Sequence, residues 1–276
     1  MTTLAPTKHP LGHRHGTTRS SARPQVAPSV GLLTFNIGAA GEARAAAILK
    51  WLLSRDDDAI VLTETTDGAG TTLLAHGLRA RGYSVCHTPA ARERGVLVAS
   101  RLAITRDLSD SLAVTLPCRA SALLIGSGAN RLVLVGVYIP SRDRTGVKIA
   151  RKRAFIASLL AGLLGLPAAQ RPRLVLAGDY NAVARRHEPH LPGFFPWEYG
   201  LHDELERIGL RPAHELLRRG EHPHSWIGRT GLGYLYDYVH VGTGLQCGVE
   251  RCEYLHGPRR QRLSDHAAVA VRLALG

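Results

Sequence analysis

Polar side chains recur at the ends of apolar runs in this sequence, and their types are those needed to hold a cation and to move a proton. TFNIG closes an apolar run with Asn36, VLTET with Glu64, and VYIPS carries Tyr138. LAGDYN carries Asp179 and Asn181, YDYVHVG carries Asp237, and LSDHAAV holds Asp265 and His266. A hard divalent cation prefers carboxylate oxygen and keeps several waters. An imidazole, which titrates near about 6.5, gains basicity and a fixed tautomer from a carboxylate partner. Asp179 and Asn181 stand two apart, a spacing that points both side chains to one face of an extended segment. Each residue alone has a plainer explanation: Glu64 as a solvated rim residue, Asn36 and Asp179 as turn formers, Tyr138 as a strand aromatic. Their weight comes from number and order.

Strands and helices must bring such residues together. VGLLTF and AIVLTE read as buried strands, and EARAAAILKWLLS between them has apolar residues at helical spacing. TTLLAHGLRARG is a further helix, after which YSVCH, GVLVAS, SLAVTL, ASALLIG and RLVLVGVYIP read as strands joined by turns. VKIARKRAFIASLLAGLLG predicts a long amphipathic helix, and RLVLAGDYN a strand running into a tight turn. WEYGLHDELERIGLRPAHE predicts a helix ending near Gly209, with final strands at YDYVHVG, around Gly248 to Tyr254, and at HAAVAVRLAL. Strand runs with interspersed helices imply an α/β or α+β sandwich of two sheets.

Composition narrows the partners. A chain of 276 residues, 45% hydrophobic, can build one core of native size. Lys and Arg number 35 against 22 Asp and Glu, a net charge of +13 that draws the chain toward polyanions, nucleic acid or anionic membrane. Residues 1–28 contain Lys8, Arg14, Arg19 and Arg23 and no acidic residue, so +9 stays with the remainder. Rich in Pro, Thr, Ser, Arg and His, that stretch reads as a disordered basic tail, leaving 29–276 as the folded catalytic domain. No run approaches the roughly 18 apolar residues of a membrane span, and the start lacks a signal-peptide centre, so a soluble cytoplasmic protein is expected. The four cysteines, Cys86, Cys118, Cys247 and Cys252, are too few for a disulfide framework and are expected to be reduced and at least partly buried.

Taken in order, the polar strand ends resemble the exonuclease III and abasic-site endonuclease branch of the endonuclease/exonuclease/phosphatase superfamily, from Val30 to Leu275. RGVLVASR, HSWIG and the stretch from Glu198 to Glu215 support the resemblance. It implies a four-layer α/β/β/α sandwich with two mostly antiparallel sheets, and hydrolysis of a phosphodiester. Such hydrolysis requires the substrate's charge to be neutralised, a water deprotonated and the departing oxygen stabilised. On this resemblance Glu64 binds magnesium or manganese, with Asn36 and Asp265 as further contacts. His266 is the general base, oriented by Asp237, with Asp179 as its rival. Asn181 holds the water or a phosphate oxygen, Tyr138 reaches the phosphate or the departing oxygen, and Trp226 lines a sugar or base pocket. The basic run SRDRTGVKIARKR, with Arg142 and Lys148 foremost, would track a phosphate backbone. HEPH, His187 to His190, reads as a loop. Two positions depart from the pattern: Gly38 stands where a polar residue is usual, and Thr63 where Gln is common. The expected activity is magnesium-dependent cleavage of the DNA backbone by a monomer, as an endonuclease or exonuclease, abasic sites included. RNA or a small phosphorylated molecule is the alternative substrate, and a catalytically silent nucleic-acid-binding protein the alternative class.

Overall fold

The computed structural model describes residues 1–3, 29–217 and 223–275; from residue 4 onward, the expected tail over 1–28 lies outside the described residues. The chain opens with β1 (Ser29–Asn36), α1 (Glu42–Leu53), β2 (Ala59–Thr65), α2 (Ala69–Arg79), β3 (Ser84–His87) and β4 (Gly95–Ser100). Next come β5 (Ile104–Asp107), β6 (Ala120–Ile125), β7 (Leu132–Tyr138), α3 (Gly146–Gly165) and β8 (Leu174–Asp179). They are followed by α4 (Pro196–Arg207), β9 (Arg211–Pro212), α5 (Ala213–Leu217), β10 (Trp226–Ile227) and β11 (Gly233–Tyr234). Last are β12 (Asp237–Val241), β13 (Val249–Leu255), α6 (Gly257–Arg260) and β14 (Ala268–Ala274).

Two six-stranded sheets result, ordered β13-β14-β1-β2-β4-β3 and β5-β6-β7-β8-β12-β9, beside the small hairpin β10-β11. Among the described strands, β1–β2 and β7–β8 pair in parallel, across the helices α1 and α3, and the other pairs are antiparallel. Both faces of both sheets are covered, so the central strands are buried along nearly their whole length and mostly apolar, and alternation assigns each residue to a layer. In β1, Leu32 joins the core between the sheets while Leu33 and Phe35 pack with Ile48 and Leu52 of α1 and Leu74 of α2. In β8, Val175 and Ala177 face the other sheet while Leu174 and Leu176 share a core with Phe155 and Leu159 of α3 and Leu201 of α4. The result is the helix, sheet, sheet, helix order that the sequence led us to expect. The sheets approach closely at β7, where a Cβ on Gly136 would lie 2.9 Å from the side chains of Val61 and Val96.

SLAVTL is not a strand, contrary to expectation. Ser109–Leu112 form a 3-10 turn, Ala113 has φ of +47°, and the strand that pairs with β6 is β5. Leu112 and Val114 are buried in the core under α3, and a Cβ on Gly162 would sit 2.1 Å from the Leu112 carbonyl. The apolar alternation there is satisfied by packing beneath a helix. The cysteines are all free; Cys252 is buried and Cys86 and Cys118 are half-buried. Cys247 is exposed, against expectation, because it lies in the 3-10 turn Gln246–Gly248 that links β12 to β13.

The outer core of the second sheet contains ionisable rings. His240 of β12 stacks on Tyr180 at 5.3 Å between centroids, and His202 of α4 lies 4.5 Å from Tyr238 and 5.7 Å from His240. Burial pushes the His202 pKa down to about 3 and holds that of His240 well below its ordinary value. Both rings are therefore neutral in the fold yet bind protons once unfolded, so their contribution is complete above about pH 6.5 and is lost as pH falls from there toward 3. Urea unfolding between pH 7.5 and 4.5 should show stability falling by on the order of 1 kcal/mol per pH unit for each ring. His202→Phe should flatten that slope; curves parallel to wild type would remove His202 as a cause.

Candidate active site

Strand alternation carries Asn36, Tyr138, Asp179 and Asp237 to the inner faces of β1, β7, β8 and β12, all at the same end of the gap between the sheets. Asp179 lies opposite Asp237 in the antiparallel pair and opposite Tyr138 in the parallel one. Asn36 spans the two sheets. Its amide nitrogen donates to Glu64 Oε1 at 2.9 Å and to Asp179 Oδ2 at 2.8 Å, and its oxygen accepts the Gly38 N–H at 2.8 Å. The turn at Gly38 thus settles which end of the amide faces the carboxylates. Asn36, expected as a metal contact, orients the acids around it with its nitrogen.

Glu64 reaches this point by an irregularity. Simple alternation from Val61 and Thr63 would send it outward under the helices, but the β2–β4 register shifts between Thr63 and Thr65, and Glu64 has φ of +56°. A bulge of this kind re-aims a side chain at the cost of local strain. Arg94 lies 3.9 Å from the second Glu64 oxygen. Asn181 also departs from extended geometry. Its φ is +47°, its N–H donates to Asp179 Oδ1 at 2.8 Å, and its side-chain nitrogen donates to Ile139 O at 3.0 Å and, more weakly, to Asp179 Oδ2 at 3.3 Å. The two residues converge through a turn, where strand spacing had been expected to align them.

His266 Nδ1 donates to Asp237 Oδ2 at 2.7 Å, both groups being buried. Two serines fix the surrounding loops. Ser264 Oγ donates to Asn36 O at 2.6 Å and accepts the His266 N–H, while Ser225 Oγ accepts the N–H groups of Tyr236 and Asp237. Trp226 is half-buried and donates from Nε1 to Asp265 Oδ2 at 2.9 Å. Its ring lies 5.4 Å from Tyr234 and 5.8 Å from Tyr236, with Phe194 against Tyr236, so an aromatic wall adjoins the His266 segment. Asp265 is exposed and turned toward Trp226. Tyr234, Tyr236, Ser225 and Ser264 escaped the sequence reading; a signal was present in the aromatic i, i+2 pattern immediately before Asp237.

Charge crowding dominates the electrostatics. Ligand atoms of Asp179, Asp237 and His266 all lie within 4.8 Å of one another, and Asp237 Oδ1 is buried without a hydrogen-bond partner. This donor set, with Glu64 beside it, suits a hard cation. Burial raises the Asp179 pKa, Asp237 and Glu64 add to the effect, and His266 opposes it, leaving it at about 7. Burial alone would keep His266 neutral, but the charge and hydrogen bond of Asp237, helped by Asp179 and Asp265, bring it to about 10. Burial and the charges of Glu64 and Asp179 raise the Tyr138 phenol, which stays protonated at neutral pH, with Arg119 stacked 4.6 Å from its ring centre.

The basic run behaves differently from expectation. Arg142, expected to face substrate, is tied inward by Glu198 at 2.8 and 2.5 Å and by Gly193 O at 2.7 Å, because a buried carboxylate there needs cationic partners. Lys148 pairs with Asp143 at 2.8 Å on the surface, and Arg151 with Glu93 at 2.6 Å. His187 is a loop residue; its Nε2 accepts the Leu235 N–H at 3.0 Å and its Nδ1 lies 3.0 Å from Pro189 O.

The model of the Endonuclease/Exonuclease/phosphatase family matches residues 33–266. Among solved structures, similarity extends to a 3′ phosphatase from Neisseria bound to a product DNA hairpin, with TM-score 0.75, 18% identity, and 88% of this chain and 98% of that one covered. An AP endonuclease from Archaeoglobus fulgidus gives TM-score 0.73 at 17% identity with the same coverage. An AP endonuclease from Leishmania major gives 0.70 at 19%, covering 94% of this chain and 91% of that one. No protein of curated function matches the chain by sequence.

Replacing His266 removes the one side-chain cation hydrogen-bonded to the buried Asp237 carboxylate. His266→Ala should therefore destabilise the protein by about 3 kcal/mol in urea unfolding at neutral pH; a loss below about 0.5 kcal/mol would mean that the pair carries little charge.

Proposed function

Because this chain belongs to the Endonuclease/Exonuclease/phosphatase family of metal-dependent hydrolases, we propose that it cleaves phosphodiester bonds of DNA with magnesium or manganese as cofactor. The observation that carries the proposal is the cluster of Asp179, Asp237 and His266 at the open end between the sheets, joined to Glu64 through Asn36. Preference for a nucleic acid rests on the surplus of +13 and on the relatives: one is a DNA-bound 3′ phosphatase and two are AP endonucleases.

The cation would be held by Glu64, oriented by Asn36, beside the buried Asp179 and Asp237 carboxylates. Bound there, it supplies neutralisation of phosphate charge and acidification of water. The chain's own groups divide the remaining work. Asp179, poised at about 7, is placed to take a proton at neutral pH, whereas His266 keeps its own proton up to about 10. Asp179, the rival base in the sequence reading, is on this view the better acceptor, and the His266 imidazolium, anchored by Asp237, would face the charge that builds up on the phosphate. Tyr138 offers a phenolic donor to the departing oxygen, Asn181 steadies Asp179, and the Trp226 wall offers an apolar face for a sugar or base. Asp265 hydrogen-bonds Trp226 and acts through that contact.

Purified protein should be incubated with magnesium and, in parallel, abasic duplex, intact duplex, single-stranded DNA, RNA and an inositol phosphate. DNA cleavage that stops in EDTA is the expected outcome, and hydrolysis of the inositol phosphate alone would overturn the substrate assignment. Binding to DNA should weaken steeply with salt. Since Asp179 must be unprotonated, the rate should climb with pH along an acid limb lying below the value of about 7 that holds without the cation, because a nearby cation favours the carboxylate, and decline on the alkaline side as His266 loses its proton. Asp179→Asn should lower turnover by about a hundredfold or more and flatten the acid limb; a retained acid limb would show that another group accepts the proton.

A further inference from the structure

Helix α3 buries Phe155, Ile156, Leu159 and Leu163 at helical spacing, and one turn earlier the same stripe carries Lys152, only 1% exposed. Helix α4 has the matching peculiarity: Glu198, fully buried, begins the stripe continued by Leu201, His202 and Leu205. The two meet, Lys152 Nζ lying 2.6 Å from Glu198 Oε1. One Glu198 oxygen is satisfied without the lysine, accepting from Arg142 and from the Phe195 N–H at 2.8 Å, and the lysine is the partner of the other. A buried pair of this kind is commonly replaced by apolar side chains with no loss of stability, so helix packing does not account for a lysine here. What an apolar side chain could not supply is the second bond: Lys152 Nζ donates to Asn181 O at 2.6 Å.

We propose that Lys152, held by Glu198, is a positioning residue that clamps the backbone of Asn181 in its left-handed turn and thereby fixes Asp179 for the reaction. The proposal rests on the hydrolysis proposed above. Asn181 is not glycine, and its φ of +47° is held from several sides. The Lys152 ammonium holds its carbonyl, Ile139 O holds its side chain, and its N–H and amide both donate to the Asp179 carboxylate. Released from the lysine, the turn can relax toward ordinary backbone angles, and the donors that steady Asp179 move with it. Glu198 supplies the counter-charge that keeps an ammonium in this dry position, and Arg142 ties the 142 loop to the same carboxylate.

The test compares Lys152→Met and Lys152→Arg with wild type. In Lys152→Met the melting temperature should fall, because Glu198 Oε1 loses its partner while Arg142 keeps the other oxygen, and kcat on the preferred DNA substrate should fall about 10- to 100-fold with KM little changed. Lys152→Arg should recover part of that loss. In an Asn181→Gly background, where the left-handed angle carries no penalty and the side-chain donor is gone, the methionine substitution should cause less than about a twofold further fall. Independently of any substrate, amide hydrogen exchange across residues 179–184 should accelerate at least tenfold in Lys152→Met and stay unchanged in the helices. Unaltered exchange there, or multiplicative losses of activity in both backgrounds, would overturn the positioning role. Inactive wild-type protein with accelerated exchange in the variant would instead defeat the assigned reaction and leave the clamp standing.

Discussion

Two buried carboxylates facing each other across paired strands repel, and the site depends on how that repulsion is contained. Asp179 and Asp237 are held within a few ångströms by the register of β8 with β12, which the hydrophobic layers on either side do not allow to slip. Three things offset the crowding: the His266 imidazolium on Asp237, the Asn36 amide between Asp179 and Glu64, and the turn amides of Asn181. None neutralises the cluster fully, and Asp237 Oδ1 keeps no partner. Residual negative potential of this kind attracts cations, so the cost of the crowding and the field it produces have one origin.

The sandwich makes such an arrangement possible because its two sheets meet face to face and open together at one end. Inward positions along the strands are filled mostly with Val, Leu and Ala, with Thr34 in β1 and Gly136 in β7, until the strand ends at the site, where Asn36, Tyr138, Asp179 and Asp237 take over. Rigid strands then supply the acids, while loops bring His266, Asp265 and Trp226 over the opening. Precision comes from the layers, and the loops are stapled to them by Ser264 and Ser225.

Much of this was legible in the sequence, since a polar residue that ends an apolar strand has few places to be except the rim. The layer order and the meeting of His266 with Asp237 follow from the ordered motifs and the resemblance they carry, whereas the parallel pairs β1–β2 and β7–β8 were not foreseen. Glu64 was recognised by type, but its bulge was not, because a single residue of left-handed backbone leaves no periodic trace. SLAVTL misled for the opposite reason: alternation without a pairing partner is indistinguishable, by period alone, from a loop packed under a helix. Arg142 and Lys152 belong to a run that was read as tracking a phosphate backbone, because Glu198, 46 residues beyond Lys152, gives no local sign that it will be buried against them.

The first and last strands of the sandwich are direct neighbours, with Ser29 opposite Ala274. Since β1 runs toward Asn36, this meeting point lies at the end of the sheet away from the acids. A short linker from the end of β14 to the start of β1 would close the backbone into a ring, and new termini could then be opened in another exposed turn. Covalent closure would restrain fraying of the central strand pair while leaving every group at the reactive rim untouched. In this fold, rearranging the order of the chain and altering its chemistry are separable operations.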